Sequence, residues 1–177
     1  MALFTGKGDG GTTKMFGCDQ QRISKSSELP EALGALDELN SFIGLAKVRA
    51  DAGTAKTLRE VQENLFIVQA ETAGAPKSVT EEKVKDIEAV IHAIEKEIPL
   101  IKGFSIAGGT ELSALLDVAR TLARRAERRL VAVHEGGIRG LSAHTRAYMN
   151  RLSSLLFALA RRANHKAGIV EENPKYQ

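Results

Sequence analysis

Apolar residues recur at three- and four-residue spacing through five successive stretches of this chain, and nowhere do they alternate with period two over a useful length. That pattern restricts the fold to helices packed on helices. Pro30 fits the first turn of a helix whose apolar positions are Leu29, Leu33, Leu36, Leu39 and Ile43. A second run starts near Thr54 with Leu58, Val61, Leu65 and Val68, and Gly74 and Pro76 end it. A third starts near Ser78 or Thr80, where "SVTE" matches a capping box, and Pro99 stops it. After the irregular "LIKGFSIAGGT", Thr110 is a plausible N-cap for a fourth helix reaching Gly136. A fifth runs from about Ser142 to Gly168. The expectation is an all-α, five-helix bundle with a glycine-rich N-terminal loop.

At 177 residues the chain suits one domain, residues 1–177. It divides into a loop region (1–28), a helical bundle (29–168) and a polar tail (169–177). The single cysteine, Cys18, excludes an intrachain disulfide and a Cys-rich zinc site, which suits a reducing compartment. "MALFTGKGDGG" lacks the apolar run of a signal peptide, and no stretch approaches a membrane span. A cytoplasmic protein without membrane attachment is the expectation.

Net charge is a mild +3, so the excess positive charge is local. "RTLARRAERRL" packs five arginines and one glutamate into residues 120 to 130. On a helical wheel Leu112, Leu115, Ala119, Leu122, Ala126, Leu130 and Val133 fill one arc. Arg120, Arg124 and Arg128 share another with Asp117 and Glu127, while Arg125 and Arg129 lie further round. A solvated face usually mixes Lys with Glu. A face of nearly pure Arg suits phosphate or carboxylate, and stacked like charges are unfavourable without an anion between them. The intervening Glu127, the modest net charge and the lack of neighbouring aromatics argue against nucleic acid.

On the fifth helix Asn150, Ser154 and Arg161 align opposite the leucines; Asn150 is a poor helix former and reads equally as surface or site. On the first, Asp37 is either a lone surface carboxylate or a partner for an arginine. "TGKGDGGTT", residues 5 to 13, can turn backbone N–H groups toward an anion, with Lys7 and hydroxyls adding donors. It is neither a P-loop nor a Rossmann fingerprint. Arg22 and Lys25 add positive charge nearby. The four histidines fit no zinc spacing, and no nucleophile context is recognisable. A glycine-rich anion loop with an arginine helix describes a polyphosphate site.

Taken in order, "TGKGDGGTT", "RISK", "LGALDELNSFIGLA", "FSIAGGTELSALLDVARTLARRAERR" and "NRLSSLLFALAR" resemble the PduO-type ATP:cob(I)alamin adenosyltransferases. The resemblance runs from about residue 3 to 164. The "DELNS" and "ARTxxRRAER" blocks are specific, whereas the glycine loop alone is not. The resemblance implies a ferritin-like, cobalamin adenosyltransferase-like bundle assembled as a homotrimer, with sites between subunits that take ATP, Mg²⁺ and cobalamin. Thr5, Gly6, Lys7, Gly8, Asp9, Gly11 and Thr13 would form the nucleotide loop, and Lys25 would help hold phosphates. Arg124 would contact the triphosphate, and Glu127 and Asn150 would complete the nucleotide pocket. Arg120 would pair with Asp37 of a neighbouring subunit. Phe104 would face the lower side of the corrin ring.

In that chemistry cob(I)alamin attacks the 5′ carbon of ATP and expels triphosphate, leaving adenosylcobalamin. The departing charge calls for Arg, Lys, backbone N–H groups and Mg²⁺, and no general base is required. A phenylalanine cannot ligate cobalt and excludes water, so Phe104 would favour the four-coordinate metal that is easier to reduce. Four positions depart from the family pattern. Lys7 stands where Thr is usual, Ala107 replaces a Pro, Asp117 replaces a common His, and Ser154 replaces an Asp. Serine cannot supply that carboxylate. A competing expectation is therefore an ATP- or corrinoid-binding carrier or sensor of the same fold with weak or lost catalysis.

Overall fold

A computed structural model describes residues 3–15, 21–100 and 103–176, which leaves Cys18 outside the described residues. Its helices are α1 (Glu28–Val48), α2 (Ala52–Ala73), α3 (Glu81–Glu97), α4 (Glu111–Glu135) and α5 (Ala143–Lys166). Before them lie two three-residue strands, β1 (Thr12–Lys14) and β2 (Arg22–Ser24), paired antiparallel with Thr13 opposite Ile23. The five helices agree with the periodicity. The strand pair does not appear in it, because three residues are too short for alternation to register.

The helix starts follow local chemistry. Asp51, Thr80, Thr110 and Ser142 each accept a hydrogen bond from the backbone N–H three residues on, satisfying a donor the helix itself leaves free. Thr80 rather than Ser78 begins α3. Its third residue is Lys83, so the cap is one-sided and the reciprocal glutamate of a capping box is missing. α5 gains a second cap from α2: Glu71 accepts from the Ser142 N–H at 2.7 Å and from the Thr145 hydroxyl. A carboxylate there also meets the positive end of the helix dipole.

α4 packs against both α1 and α5, α1 also against α2, and α5 also against α3. Sitting between two partners, α4 buries a broad arc: Ser113, Leu116, Ala119, Ala123, Ala126, Leu130 and Val133. The wheel's arc shares Ala119, Ala126, Leu130 and Val133 with this face, whereas its Leu112, Leu115 and Leu122 are only partly buried. The alanines take the centre because small side chains let neighbouring helices come close. Arg125 and Arg129 consequently face α1, paired with Glu38 and, at 3.8 Å, Glu31. Between α2 and α5, Asn64 donates to the Tyr148 hydroxyl at 3.2 Å and Arg162 to Thr54 Oγ1 at 3.1 Å.

Tyr148 is 1% exposed, and burial pushes its phenol up from 10.0 to about 12, against the opposing effect of the Asn64 hydrogen bond. The fold therefore holds the neutral form while the unfolded chain ionises first. Its contribution is full below pH 10.0 and is lost as pH climbs toward 12. Urea midpoints measured across that window should fall for the wild type and fall less for Tyr148→Phe. Identical slopes in the two proteins would refute this assignment.

Candidate functional site

The connection between α3 and α4 is irregular, yet its distal end is tightly fixed. Gly108 and Gly109 adopt φ of 116° and 112°, a region side-chain-bearing residues rarely enter. Asn164 of α5, 6% exposed, donates to the Gly108 carbonyl at 2.8 Å and accepts from the Thr110 N–H at 3.0 Å. Ser113 donates to the same carbonyl at 3.1 Å, and Asp117 accepts from the Gly108 N–H at 3.1 Å. A Cβ added at Gly109 would collide with the Asn164 amide, so the close approach itself requires glycine.

Asp117 links this turn to the arginine face. Its side chain is 12% exposed and its other oxygen lies 3.6 Å from Arg120 Nε. The Arg120 guanidinium lies 5.9 Å from the Phe157 ring centre, and Arg161 lies 6.0 Å from the same ring. Arg120, Arg124, Ser153, Ser154 and Phe157 line a cavity of about 490 Å³, closed on one side by Gly103, Phe104 and Ser105. Phe104 is 79% exposed, and Arg124 and Ser154 are also exposed. A mostly apolar cavity with guanidinium groups on one wall can hold a large flat apolar group next to an anion.

One turn beyond Arg124, Glu127 accepts from Asn150 Nδ2 at 3.0 Å, and Arg151 donates to Asn150 Oδ1 at 2.8 Å. Both amide atoms are engaged, which fixes the orientation of Asn150. Arg151 is in turn held by Glu88 at 3.0 Å. Glu127 borders a smaller cavity of about 150 Å³ beside Leu130 and Met149.

The glycine loop is a separate unit. Turns close through Asp9 N–H to Gly6 and Gly11 N–H to Gly8, with Gly6 and Gly11 at positive φ, and the Lys25 N–H returns to the Gly11 carbonyl at 2.9 Å. Arg22 binds the loop from within, donating to the carbonyls of Lys7 and Thr12 and to Thr12 Oγ1. The Lys25 ammonium lies over Gly8, so a Cβ there would sit 2.9 Å from it. Met15 and Ile23 anchor this hairpin on the bundle core.

The sequence-derived residues thus fall into three groups. Phe104, Arg120 and Arg124 surround one cavity, joined by Ser154. Glu127 and Asn150 form a bonded pair. Thr5, Gly6, Lys7, Gly8, Asp9, Gly11, Thr13 and Lys25 lie in the hairpin region, and among the described residues none of these eight makes a hydrogen bond or ion pair to α4 or α5. Asp37 stands exposed on α1 without an ion pair among the described residues. Arg22 serves the loop's own structure. Asp117 is engaged by Gly108 and Arg120 and does not line the cavity. Sequence reading does not reach Phe157 or Asn164, since both fit ordinary helical positions.

The family model for cobalamin adenosyltransferase matches residues 3–163. The chain belongs to the cobalamin adenosyltransferase family. A corrinoid adenosyltransferase of Bacillus subtilis is 39% identical, with 96% of this chain and 90% of that protein covered. The corrinoid adenosyltransferase PduO of Salmonella typhimurium is 38% identical over 99% of this chain. The chain spans only 54% of that protein, about half its length. Among solved structures, a Phe-to-His variant of a PduO-type ATP:corrinoid adenosyltransferase from Lactobacillus reuteri, complexed with cobalamin and ATP, superposes with a TM-score of 0.91. It is 30% identical and the alignment covers 99% of this chain and 97% of that one. An Arg-to-Lys variant from the same organism, complexed with ATP, gives 0.88. Family membership and bundle architecture therefore agree with the motif reading.

Asn164→Ala removes the two hydrogen bonds that α5 makes to the glycine turn and leaves the Thr110 N–H unpaired, while those from Ser113 and to Asp117 remain. Chemical unfolding should report a loss of about 1–3 kcal/mol. An unchanged unfolding midpoint would show that the turn is held by other means.

Proposed function

We propose that this protein is an ATP:corrinoid adenosyltransferase, moving the 5′-deoxyadenosyl group of ATP onto cob(I)alamin to give adenosylcobalamin and triphosphate. The observation that carries the reading is the cavity of about 490 Å³ that brings Phe104 together with Arg120 and Arg124. A corrin ring is large, flat and largely apolar, whereas the leaving triphosphate is a concentrated anion. Few substrates other than this pair need both walls at once.

The chemistry asks the protein for positioning and charge stabilisation. Co(I) supplies the electron pair that forms the Co–C5′ bond, and the C5′–O bond breaks with its electrons leaving on triphosphate. No proton moves at the reacting carbon, so no general base is needed. Arg124, Lys25, Lys7 and the N–H groups of the glycine loop serve the triphosphate, with Thr5, Gly6, Gly8, Asp9, Gly11 and Thr13 shaping that loop. Glu127 and Asn150 serve the nucleoside side. Phe104 presents a surface that offers no ligand and admits no water beneath the metal. Mg²⁺ would accompany the ATP phosphates as part of the substrate and offset their charge.

The separation of hairpin and cavity within one chain supports a site completed between subunits of a homotrimer. Arg120 fits the pairing with Asp37 of a neighbour: its link to Asp117 is loose at 3.6 Å and a guanidinium has five donors to share. Among the described residues no helix is long and apolar enough to cross a membrane. We assign the activity to the cytoplasm, where ATP and reducing conditions coincide, and treat residues 1–177 as one functional domain. A second reading, an ATP- or corrinoid-binding carrier or sensor, is favoured by one observation. Ser154 lines the cavity and brings no carboxylate.

With chemically reduced cobalamin and MgATP, the wild type should yield adenosylcobalamin and triphosphate, and Arg124→Ala should lower turnover by at least about 10²-fold. Tight binding without product in the wild type, restored by Ser154→Asp, would decide for the carrier. Asp37→Arg should weaken subunit association in sedimentation, and Arg120→Asp in the same chain should partly restore it. An unaltered oligomer in Asp37→Arg would overturn the pairing.

A further inference from the structure

Phe104 is not held by its own packing. With the residue 79% exposed, the position of the ring depends on its backbone, which belongs to neither helix nor strand. Two hydrogen bonds fix that backbone ahead of Gly108, and both run to residues beyond α5. Asn173 Nδ2 donates to the Phe104 carbonyl at 2.9 Å, and the Ile106 N–H donates to the Glu172 carbonyl at 2.8 Å. Asn173 also abuts Gly103, where a Cβ would sit 3.2 Å from its amide.

The segment that makes these contacts is itself anchored. Arg161, with a side chain 11% exposed, binds both carboxylate oxygens of Glu171 at 2.8 Å through Nε and Nη2. The same Nη2 donates to the Pro99 carbonyl at 2.9 Å, just beyond α3. A bidentate, largely desolvated pair of this kind is strong and directional. Arg161 also lies by Phe157, the aromatic side chain on the cavity's other wall. One guanidinium therefore ties together the start of the connection, the C-terminal segment and the cavity lining. Behind Gly103 and Ser105 lies a second cavity of about 460 Å³, bordered by Leu100, Ile169 and Val170, so the connection has empty space to fall back into. Glu171 and Asn173 also lie beyond residues 3–163, where the family match ends.

We propose that residues 171–173 form a strap that positions Phe104, with Asn173 and the Arg161–Glu171 pair as positioning residues. The proposal rests on the reading of Phe104 as the residue facing the corrinoid. Without the strap, the connection relaxes into the space behind it and the ring no longer stays under the metal. ATP affinity is unaffected, because the nucleotide groups are held by other elements.

The test compares wild type, Asn173→Ala, Asn173→Gln and Glu171→Gln as full-length proteins. The readouts are amide hydrogen exchange at Ile106 without ligand, ATP affinity, and the fraction of four-coordinate Co(II) cobalamin seen by absorption and EPR at saturating ATP. Asn173→Ala should speed Ile106 exchange and lower the ratio of four- to five-coordinate cobalt by about 3- to 10-fold. Glu171→Gln should lower it by about tenfold or more. Asn173→Gln, which keeps an amide donor, should recover part of the loss, and ATP affinity should stay constant throughout. Wild-type exchange at Ile106, or wild-type cobalt coordination, in both Asn173→Ala and Glu171→Gln would overturn the strap. If the wild type itself binds no cobalamin, the adenosyltransferase reading fails, and the exchange rates alone still decide whether the strap exists.

Discussion

The packing of α4 between α1 and α5 sets the terms for everything around it. A helix buried on two sides has little surface left for polar groups. Ala119, Ala123 and Ala126 occupy the centre of its contact face, where larger residues would push the neighbours apart. The arginines are sorted by what remains. Those turned toward α1 meet glutamates, Arg120 lies half-buried at the margin, and Arg124 and Arg128 look outward. The chemical division along residues 120–130 is a consequence of helix packing rather than of the arginines themselves.

Much of this architecture was legible in the sequence, because helix starts and stops rest on local chemistry. Thr110 and Ser142 cap helices where a hydroxyl preceding an apolar run says they should, and Gly74 ends α2 in the left-handed conformation that glycine permits. The exact buried arc of α4 was less legible. A wheel ranks positions by apolarity, and the two-sided contact favoured small residues over large ones. The β1–β2 pair was out of reach, since its register is fixed by Arg22 bonding to Thr12 and by turn geometry, neither of which leaves a periodic trace.

The candidate site was legible in a different way. Arg120, Arg124 and Phe104 could be named through motif resemblance, and the structure gathers them about one cavity. The positioning contacts that surround them could not, even where a residue such as Asp117 had been noted. Asn164 and Asp117 look like an ordinary helical amide and an ordinary surface carboxylate until the glycine turn is seen between them. Glu171 and Asn173 look like part of a polar tail until their partners appear. Side chains that touch a substrate are constrained by its chemistry and so resemble one another across relatives. Side chains that orient them are constrained only by local geometry, which a linear sequence does not display.

The contact between Gly109 and Asn164 acts as a mechanical stop. No atom can be added at position 109 without meeting the amide of α5, and the amide cannot retreat without abandoning the Gly108 carbonyl and the Thr110 N–H. The two positions share a single volume, so neither can vary alone. The connection bearing Phe104 therefore has one end whose distance from α5 is set by a single shared contact, whatever the rest of it does.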